Sequence, residues 1–270
     1  MIFDAGLAGS KPKDTPMKQN LKLTSTEFDT CTDTSKGDEL LEDKGSYQLL
    51  IGKLLYLTIT RPDISYTVQS LSQFMHAPKK SHYEAALYVV RYIKKQLRLG
   101  LLMSSDSNEE IEAFCDSDWA SCPMSRKSVT GYCVKLGIST ISRKAKKQHI
   151  VSRSSAETEY RSMAHTIAEL VWLKCLLEEL SVNLKLPMKL FYDNKAVLQI
   201  AANPMYHERI KHIEIDCHSI REKIQKGLIK SSYIPSQEQP ADVLTKALGH
   251  QQHAALISKM EMKDIFSFST

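Results

Sequence analysis

Between Ile111 and Leu180 the spacing of apolar residues changes period, and this change limits the folds open to the chain. The segments "IEAFCD" (111–116), "SVTGYCVKL" (128–136) and "TISRK" (140–144) followed by "QHIV" (148–151) are short and rich in β-branched and aromatic residues. They read as three strands of an antiparallel meander. Tyr160, Met163, Ala164, Ile167, Val171, Leu173, Leu176, Leu177 and Leu180 then recur every three or four positions, the mark of one long helix. Ser154 and Glu157 have the spacing of a capping box at its start. Beyond Pro187 come a strand "MKLFYD", a helix "NKAVLQIAAN", a helix from about 211 to 225, a strand "IKSSYI" and a short helix opened by Pro240 in "QPADVLTKAL". Three strands, helix, strand, helices, strand, helix is the order of a mixed α/β sheet with helices on its faces.

Upstream the pattern is helical. "YQLLIGKLLYLTI" carries Leu50, Leu54 and Leu57 at helical spacing, and "RPDISYTVQSLSQFM" resumes after Pro62, so two packed helices are expected. After Pro78 an amphipathic helix sets Tyr83, Ala86, Leu87, Val90, Ile93 and Leu97 on one stripe, and Gly100 is expected to end it. Its other faces carry Lys79, Lys80, Arg91, Lys94, Lys95 and Arg98, either a solvated surface or a phosphate-contacting one. Residues 1–46 are polar and punctuated by Gly and Pro, as in a linker.

At 270 residues the chain exceeds one average domain. It has no apolar run near the roughly 18 residues of a membrane span. The start lacks a basic and then apolar leader pattern, so an intracellular, non-secreted protein is expected. Six scattered cysteines without a C-x-x-C pair read as reduced thiols. A net charge of +5 permits a polyanionic partner without requiring one.

Four acids fall at edges of the expected sheet or at helix entries: Asp116, Glu159, Asp193 and Asp242. Each alone has a structural reading, as a turn residue, a helix cap or a partner of a helix dipole. Together they would repel one another and raise one another's pKa unless cations lay between them. Mg²⁺ or Mn²⁺ are hard ions that take oxygen ligands, and two of them about 4 Å apart form a clamp for attack of water on a phosphodiester.

The motifs "CDSDWASCPMSRKSVTGYCVKLG" (115–137), "KKQHIVSRSSAETEYRSMAHTIAELVWL" (146–173), "LFYDNKAVLQIAANPMYHERIKHIEIDCHSIREKI" (190–224) and "QPADVLTKALG" (239–249) resemble the ribonuclease H region of copia-type LTR retrotransposon Pol polyproteins. The stretch 47–95 resembles the thumb and connection of the reverse transcriptase that precedes it, and "DAGLAGSKPKDTPM" (4–17) resembles the exit of its palm. The resemblance implies a ribonuclease H-like five-stranded mixed sheet with helices on both faces, α/β (α+β) in class, preceded by a small helical thumb-like segment. The implied division is 1–46 linker or palm end, 47–104 thumb and connection, 105–250 ribonuclease H-like domain and 251–270 tail.

The implied activity is hydrolysis of the RNA strand of an RNA-DNA hybrid with two Mg²⁺ or Mn²⁺ ions. The tetrad Asp116, Glu159, Asp193 and Asp242 serves as catalytic and metal-ligating residues. Asp118 and Glu157 are the competing acids; Asp116 is preferred because it follows its strand directly, and Glu157 already has a capping role. The implied setting is a cytoplasmic virus-like particle or the nucleus. The polymerase motif Y-x-D-D does not occur, so the chain is expected to lack polymerase activity, with the upstream palm and fingers as missing partners and no small-molecule cofactor.

Several positions depart from the family's habit: Arg143 for Trp, Ser121 for Gly, Lys135 for a hydrophobic residue, Ile210 for Thr and Ser219 for an aromatic. A charge at a formerly apolar position is expected to cost stability unless it reaches a polar partner. The loop before Asp242 also lacks a histidine that many ribonucleases H carry. Lys144, Lys146, Lys147, Arg91, Lys94 and Lys95 are candidate contacts to nucleic-acid phosphate. His207, His212 and His218 lack the spacing of a helix-borne metal site, and Trp119 and Trp172 are expected in the core. The alternatives are a metal nuclease with other substrates and a folded remnant that binds nucleic acid without turnover.

Overall fold

A computed structural model describes residues 2–34, 37–105, 108–194 and 214–264. The helix expected over 194–203, and His207, Ile210 and His212, fall wholly or almost wholly outside these residues.

Five strands, β2 (Glu110–Asp118), β3 (Val129–Leu136), β4 (Ser139–Lys147), β5 (Lys185–Tyr192) and β6 (Ile229–Tyr233), form one sheet in the order β4-β3-β2-β5-β6. β2, β3 and β4 pair antiparallel as the expected meander, while β5 adds parallel to β2 and β6 parallel to β5. The sheet is therefore mixed, as expected. The third strand is one continuous run through Lys147, and "QHIV" lies outside it.

Alternation sends successive side chains of β2 to opposite faces. Ile111, Ala113 and Cys115 bury against α5 (Ser155–Glu179) and α6 (Glu214–Gln225), together with Tyr160, Met163, Ile167, Leu170 and Ile220. The other face is covered by a 3₁₀ turn, Pro240–Leu244, and by α7 (His250–Lys259), which pack Val243, Leu244, Leu256 and Met260 over Cys133. Helix α5 begins where the sequence indicated: the Ser154 hydroxyl accepts from the Glu157 amide at 3.2 Å. The Glu157 carboxylate accepts from the Arg153 amide at 2.8 Å and pairs with Arg161 at 3.0 Å, a structural role.

The helical segment preceding the sheet comprises α1 (Thr26–Thr32), α2 (Lys44–Leu57), a 3₁₀ turn (Pro62–Ile64), α3 (Ser65–Ser72) and α4 (Lys80–Lys95). Tyr47, Ile51, Leu54, Ile64, Val68, Leu71, Val89 and Val90 form its core. Helix α4 stops at Lys95, and Gly100 lies instead within β1 (Leu99–Leu101), which pairs with β7 (Met262–Asp264). Residues 251–264, the described part of the segment 251–270 expected as a tail, thus help complete a core and a second small sheet.

Residues 2–34 and 37–46 are held more firmly than a linker. The Lys79 ammonium, its side chain 3% exposed, pairs with Asp29 at 2.6 Å and Asp38 at 3.0 Å. Arg61 grips Asp63 with two nitrogens at 2.9 and 2.7 Å, and the Tyr92 hydroxyl donates to the same carboxylate at 2.6 Å. His253 of α7 meets the Tyr92 ring edge-on at 5.5 Å between centroids, which joins the helical segment to the C-terminal helix.

The two charges at positions where the resemblance leads to apolar residues both reach carbonyls. Arg143 donates to the carbonyls of Thr58 and Ile59, just past the end of α2. Lys135 donates to the Lys259 carbonyl at 3.1 Å, in the last turn of α7. Each places a cation where a helix end exposes carbonyls, so the expected cost of these departures is offset.

Candidate active site

Asp116 lies on β2 opposite Gly131 of β3. Its backbone is pinned from both faces of the sheet: the Ser162 hydroxyl of α5 donates to the Asp116 carbonyl at 2.8 Å, and the Gln239 amide donates to the Cys115 carbonyl at 3.0 Å. Glu159 enters from the first turns of α5, and Asp193 follows the last residue of β5. Oxygen atoms of Asp116, Glu159 and Asp193 lie within 4.8 Å of one another. These three acids, with Ser117, Asn194, Tyr233 and Lys246, line an open depression of about 540 Å³.

The donors around the acids fix their orientation. The Thr245 hydroxyl donates to Asp116 Oδ2, and the Ser236 hydroxyl donates to Asp193 Oδ2 at 2.6 Å. Asp242, 2% exposed, does not join the group of three. Its carboxylate accepts from Lys246 at 3.0 Å, and the same ammonium lies 3.2 Å from each oxygen of Asp116.

Burial holds the Glu159 carboxyl above the ordinary glutamate range, and the charges of Asp116 and Asp193 push it further the same way. Asp242 is raised by burial and by Asp116, against the lowering effect of Lys246. The Asp118 carboxyl is raised chiefly by burial, and it stands outside the convergent group. Three converging carboxylates, with Glu159 held above its ordinary range by burial and by the other two, form a hard oxygen donor set that suits Mg²⁺ or Mn²⁺.

The 3₁₀ turn reaches the sheet because β3 has a glycine below it. A Cβ on Gly131 would approach Thr245 Cγ2 to 2.6 Å, Leu244 Cβ to 3.0 Å and the Ala241 carbonyl to 3.1 Å. The short helix expected after Pro240 is a 3₁₀ turn, with the Gln239 side chain capping the Ala241 amide at 3.3 Å and the Thr245 amide bonded to the Asp242 carbonyl at 3.2 Å. Thr245, Lys246 and Gly131 did not stand out in the sequence. The signals were a glycine inside a strand, which marks close approach, and a lysine four residues after an acid.

The basic candidates divide. Arg91 donates to the Lys11 carbonyl at 3.1 Å, Lys94 to the carbonyls of Leu7 at 3.2 Å and Ser10 at 2.8 Å, and Lys95 pairs with Asp14. These three fasten the N-terminal segment to α4. Lys147 donates to Gln73 Oε1 at 2.5 Å and Cys122 Sγ at 3.0 Å. Lys144 and Lys146 remain exposed on the edge strand β4, in register with the rows of Tyr132 and Thr130.

Trp119 and Trp172 are not core residues, being 48% and 58% exposed. Trp119 directly follows β2, and its indole N–H donates to the Ser152 carbonyl at 3.2 Å in the loop leading to α5. His218 is exposed, and among the described residues no histidine joins the acidic group. The described helices include none long and apolar enough to cross a membrane.

No protein-family model matches the chain. The chain is 38% identical over 260 residues to the retrovirus-related Pol polyprotein from transposon RE1 of Arabidopsis thaliana, covering 96% of this chain and 17% of that protein. It is 39% identical over 248 residues to the corresponding polyprotein from transposon RE2 of the same plant, covering 92% of this chain and 16% of that protein. The Pol polyprotein from transposon TNT 1-94 of Nicotiana tabacum is 33% identical over 248 residues, covering 90% of this chain and 18% of that protein.

Solved structures resemble the chain at low scores. The N-terminal ribonuclease H domain of rv2228c from Mycobacterium tuberculosis aligns with a TM-score of 0.38 and 12% identity, over 56% of this chain and 96% of that chain. LC11-RNase H1 in complex with an RNA/DNA hybrid aligns with a TM-score of 0.35 and 14% identity, over 50% of this chain and 94% of that one. Likeness at these scores carries no weight beside the strand order itself.

Proposed function

The chain belongs to the retrovirus-related Pol polyproteins of copia-type transposons, and we propose that it acts as their ribonuclease H, hydrolysing the RNA strand of an RNA-DNA hybrid. The observation that carries this reading is the convergence of Asp116, Glu159 and Asp193, from three separate elements, beside the C-terminal ends of the central strands β2 and β5 of a mixed five-stranded sheet. The chain spans only 17% and 16% of the first two relatives, so the activity is assigned to this part of the polyprotein and not carried over from the whole.

Asp116, Glu159 and Asp193 would hold a divalent ion, and Asp116 with Asp242 offers the place for a second. Bound there, such ions supply Lewis acidity and an activated water for in-line attack on a phosphodiester. The protein's own contribution is position. Thr245 and Ser236 orient the Asp116 and Asp193 carboxylates, so that the donor set is formed before substrate arrives. The depression is open, as a duplex backbone requires, and a bound cation would offset the burial and like charges that raise the Glu159 carboxyl. Exposed Lys144 and Lys146 on the edge strand supply charge for phosphates.

The test is a substrate panel with Mg²⁺: one sequence prepared as RNA-DNA hybrid, double-stranded RNA and double-stranded DNA, each strand labelled. The expected result is cleavage of the RNA strand in the hybrid alone. Equal cutting of all three duplexes would replace this reading with that of a general metal nuclease.

A further inference from the structure

The Asp116–Asp242 pair carries a feature that the acid pattern alone does not imply. The Lys246 ammonium lies between the two carboxylates, 3.2 Å from each Asp116 oxygen and 3.0 Å from Asp242 Oδ1. We propose that Lys246 occupies the second cation position of this site, so that without substrate the chain takes a single divalent ion, at Asp116, Glu159 and Asp193.

The argument is spatial and electrostatic. Mg²⁺ ligates oxygen at about 2.1 Å, so an ion shared by Asp116 and Asp242 would sit within the space the ammonium fills. Two cations at that separation repel strongly in a partly buried site. The position is built into the fold: Lys246 follows Asp242 by four residues, just past the 3₁₀ turn, which is seated on Gly131 with Thr245 bonded to Asp116. Among the described residues no ion pair is made to Asp193 or Glu159, and their oxygens lie within 4.8 Å of an Asp116 oxygen, which leaves that position to an ion. The Lys246 side chain is one-third exposed, 33%, so it can leave the pair towards the depression when a phosphate enters. The substrate then becomes part of the loading of the second position, and the chain cannot be filled by metal alone.

This inference rests on the metal-site reading above but is measured separately from turnover. Mn²⁺ is titrated into the full chain without nucleic acid and counted by electron paramagnetic resonance of the free ion, for the parent, Lys246→Gln and Lys246→Arg, with thermal melts to confirm folding. The expected counts are one ion for the parent, one for the arginine variant and two for the glutamine variant. Two ions on the parent, or one on the glutamine variant, would overturn the inference while leaving the ribonuclease reading intact. No ion on any of the three would instead remove the metal site on which both depend. If the glutamine variant does not fold, Lys246→Met takes its place, with the same count of two ions expected and a count of one overturning the inference.

Discussion

Gly131 and Thr245 are packed so closely that a methyl group on the strand would come to 2.6 Å from the threonine Cγ2. The missing side chain on β3 is what lets the turn bearing Asp242, Thr245 and Lys246 lie against Asp116. Gly131→Ala is expected to cost about 1–3 kcal/mol by overpacking and to lower hybrid cleavage by displacing the Thr245 hydroxyl from Asp116. Adding Thr245→Ser, which keeps the hydroxyl and removes the methyl, should restore part of both. Urea melts and cleavage rates of the single and double variants check this; an alanine variant as stable and active as the parent would refute the steric account.

Asp63 is 1% exposed and is held by Arg61 and the Tyr92 hydroxyl. Asp63→Asn leaves the Arg61 guanidinium buried without its counter-charge, and breaking such a pair costs on the order of 3–5 kcal/mol. The expected outcome is a large loss of stability in chemical denaturation. A change within about 0.5 kcal/mol, usual for exposed surface sites, would mean that the pair is hydrated and carries little.

Arg143 caps carbonyls just past the end of α2, where the resemblance leads to a tryptophan. Arg143→Leu keeps apolar bulk and removes the donors, with an expected cost of about 1.5–3 kcal/mol, in the range of a charge-assisted hydrogen bond. The melt should show a single lower transition. A leucine variant more stable than the parent would mark the arginine as a cost to the fold.

The metal-free protein should show a pH signature from Glu159. Its folded pKa is raised above the ordinary value by burial and by Asp116 and Asp193, so the folded state binds a proton that the unfolded chain releases. Its contribution is therefore fully present below the ordinary glutamate range and is lost as pH rises towards the raised folded value. Glu159→Gln is neutral throughout, so its melting temperature in chelator should exceed the parent's by an amount that grows from pH 5 to pH 8. Excess Mg²⁺ should reverse the order at pH 8 by stabilising the parent alone. A difference independent of pH would show that Glu159 is ionised in the free protein.

Much of this structure was legible from the chain's patterning. The change of period after Gly100 indicated the meander and the long helix, and Ser154 with Glu157 located the helix start. Asp116, Glu159 and Asp193 stood out because each was expected where a regular element begins or ends; Glu159 and Asp193 do lie there, whereas β2 runs on past Asp116 to Asp118. What the sequence could not display was pairing across long separations. Arg91, Lys94 and Lys95 looked like a nucleic-acid face, yet they hold carbonyls and a carboxylate about eighty positions earlier in the chain. Arg143 and Lys135 looked like drift until the helix ends they meet were in view. Trp119 and Trp172 were misplaced because size and apolarity favour the core on average, while local position on a loop and on the outer face of α5 decides the individual case.

The most direct measurement of the central claim is cleavage of a labelled RNA-DNA hybrid in Mg²⁺ by the parent, Asp116→Asn and Asp193→Asn, with hybrid binding measured in parallel. The account predicts that the parent cuts the RNA strand and that each variant loses at least a hundredfold in rate, on the order of what one electrostatic catalytic group supplies, while still binding the hybrid. Undiminished cutting by either variant, or hybrid binding by the parent with no cutting at all, would contradict it.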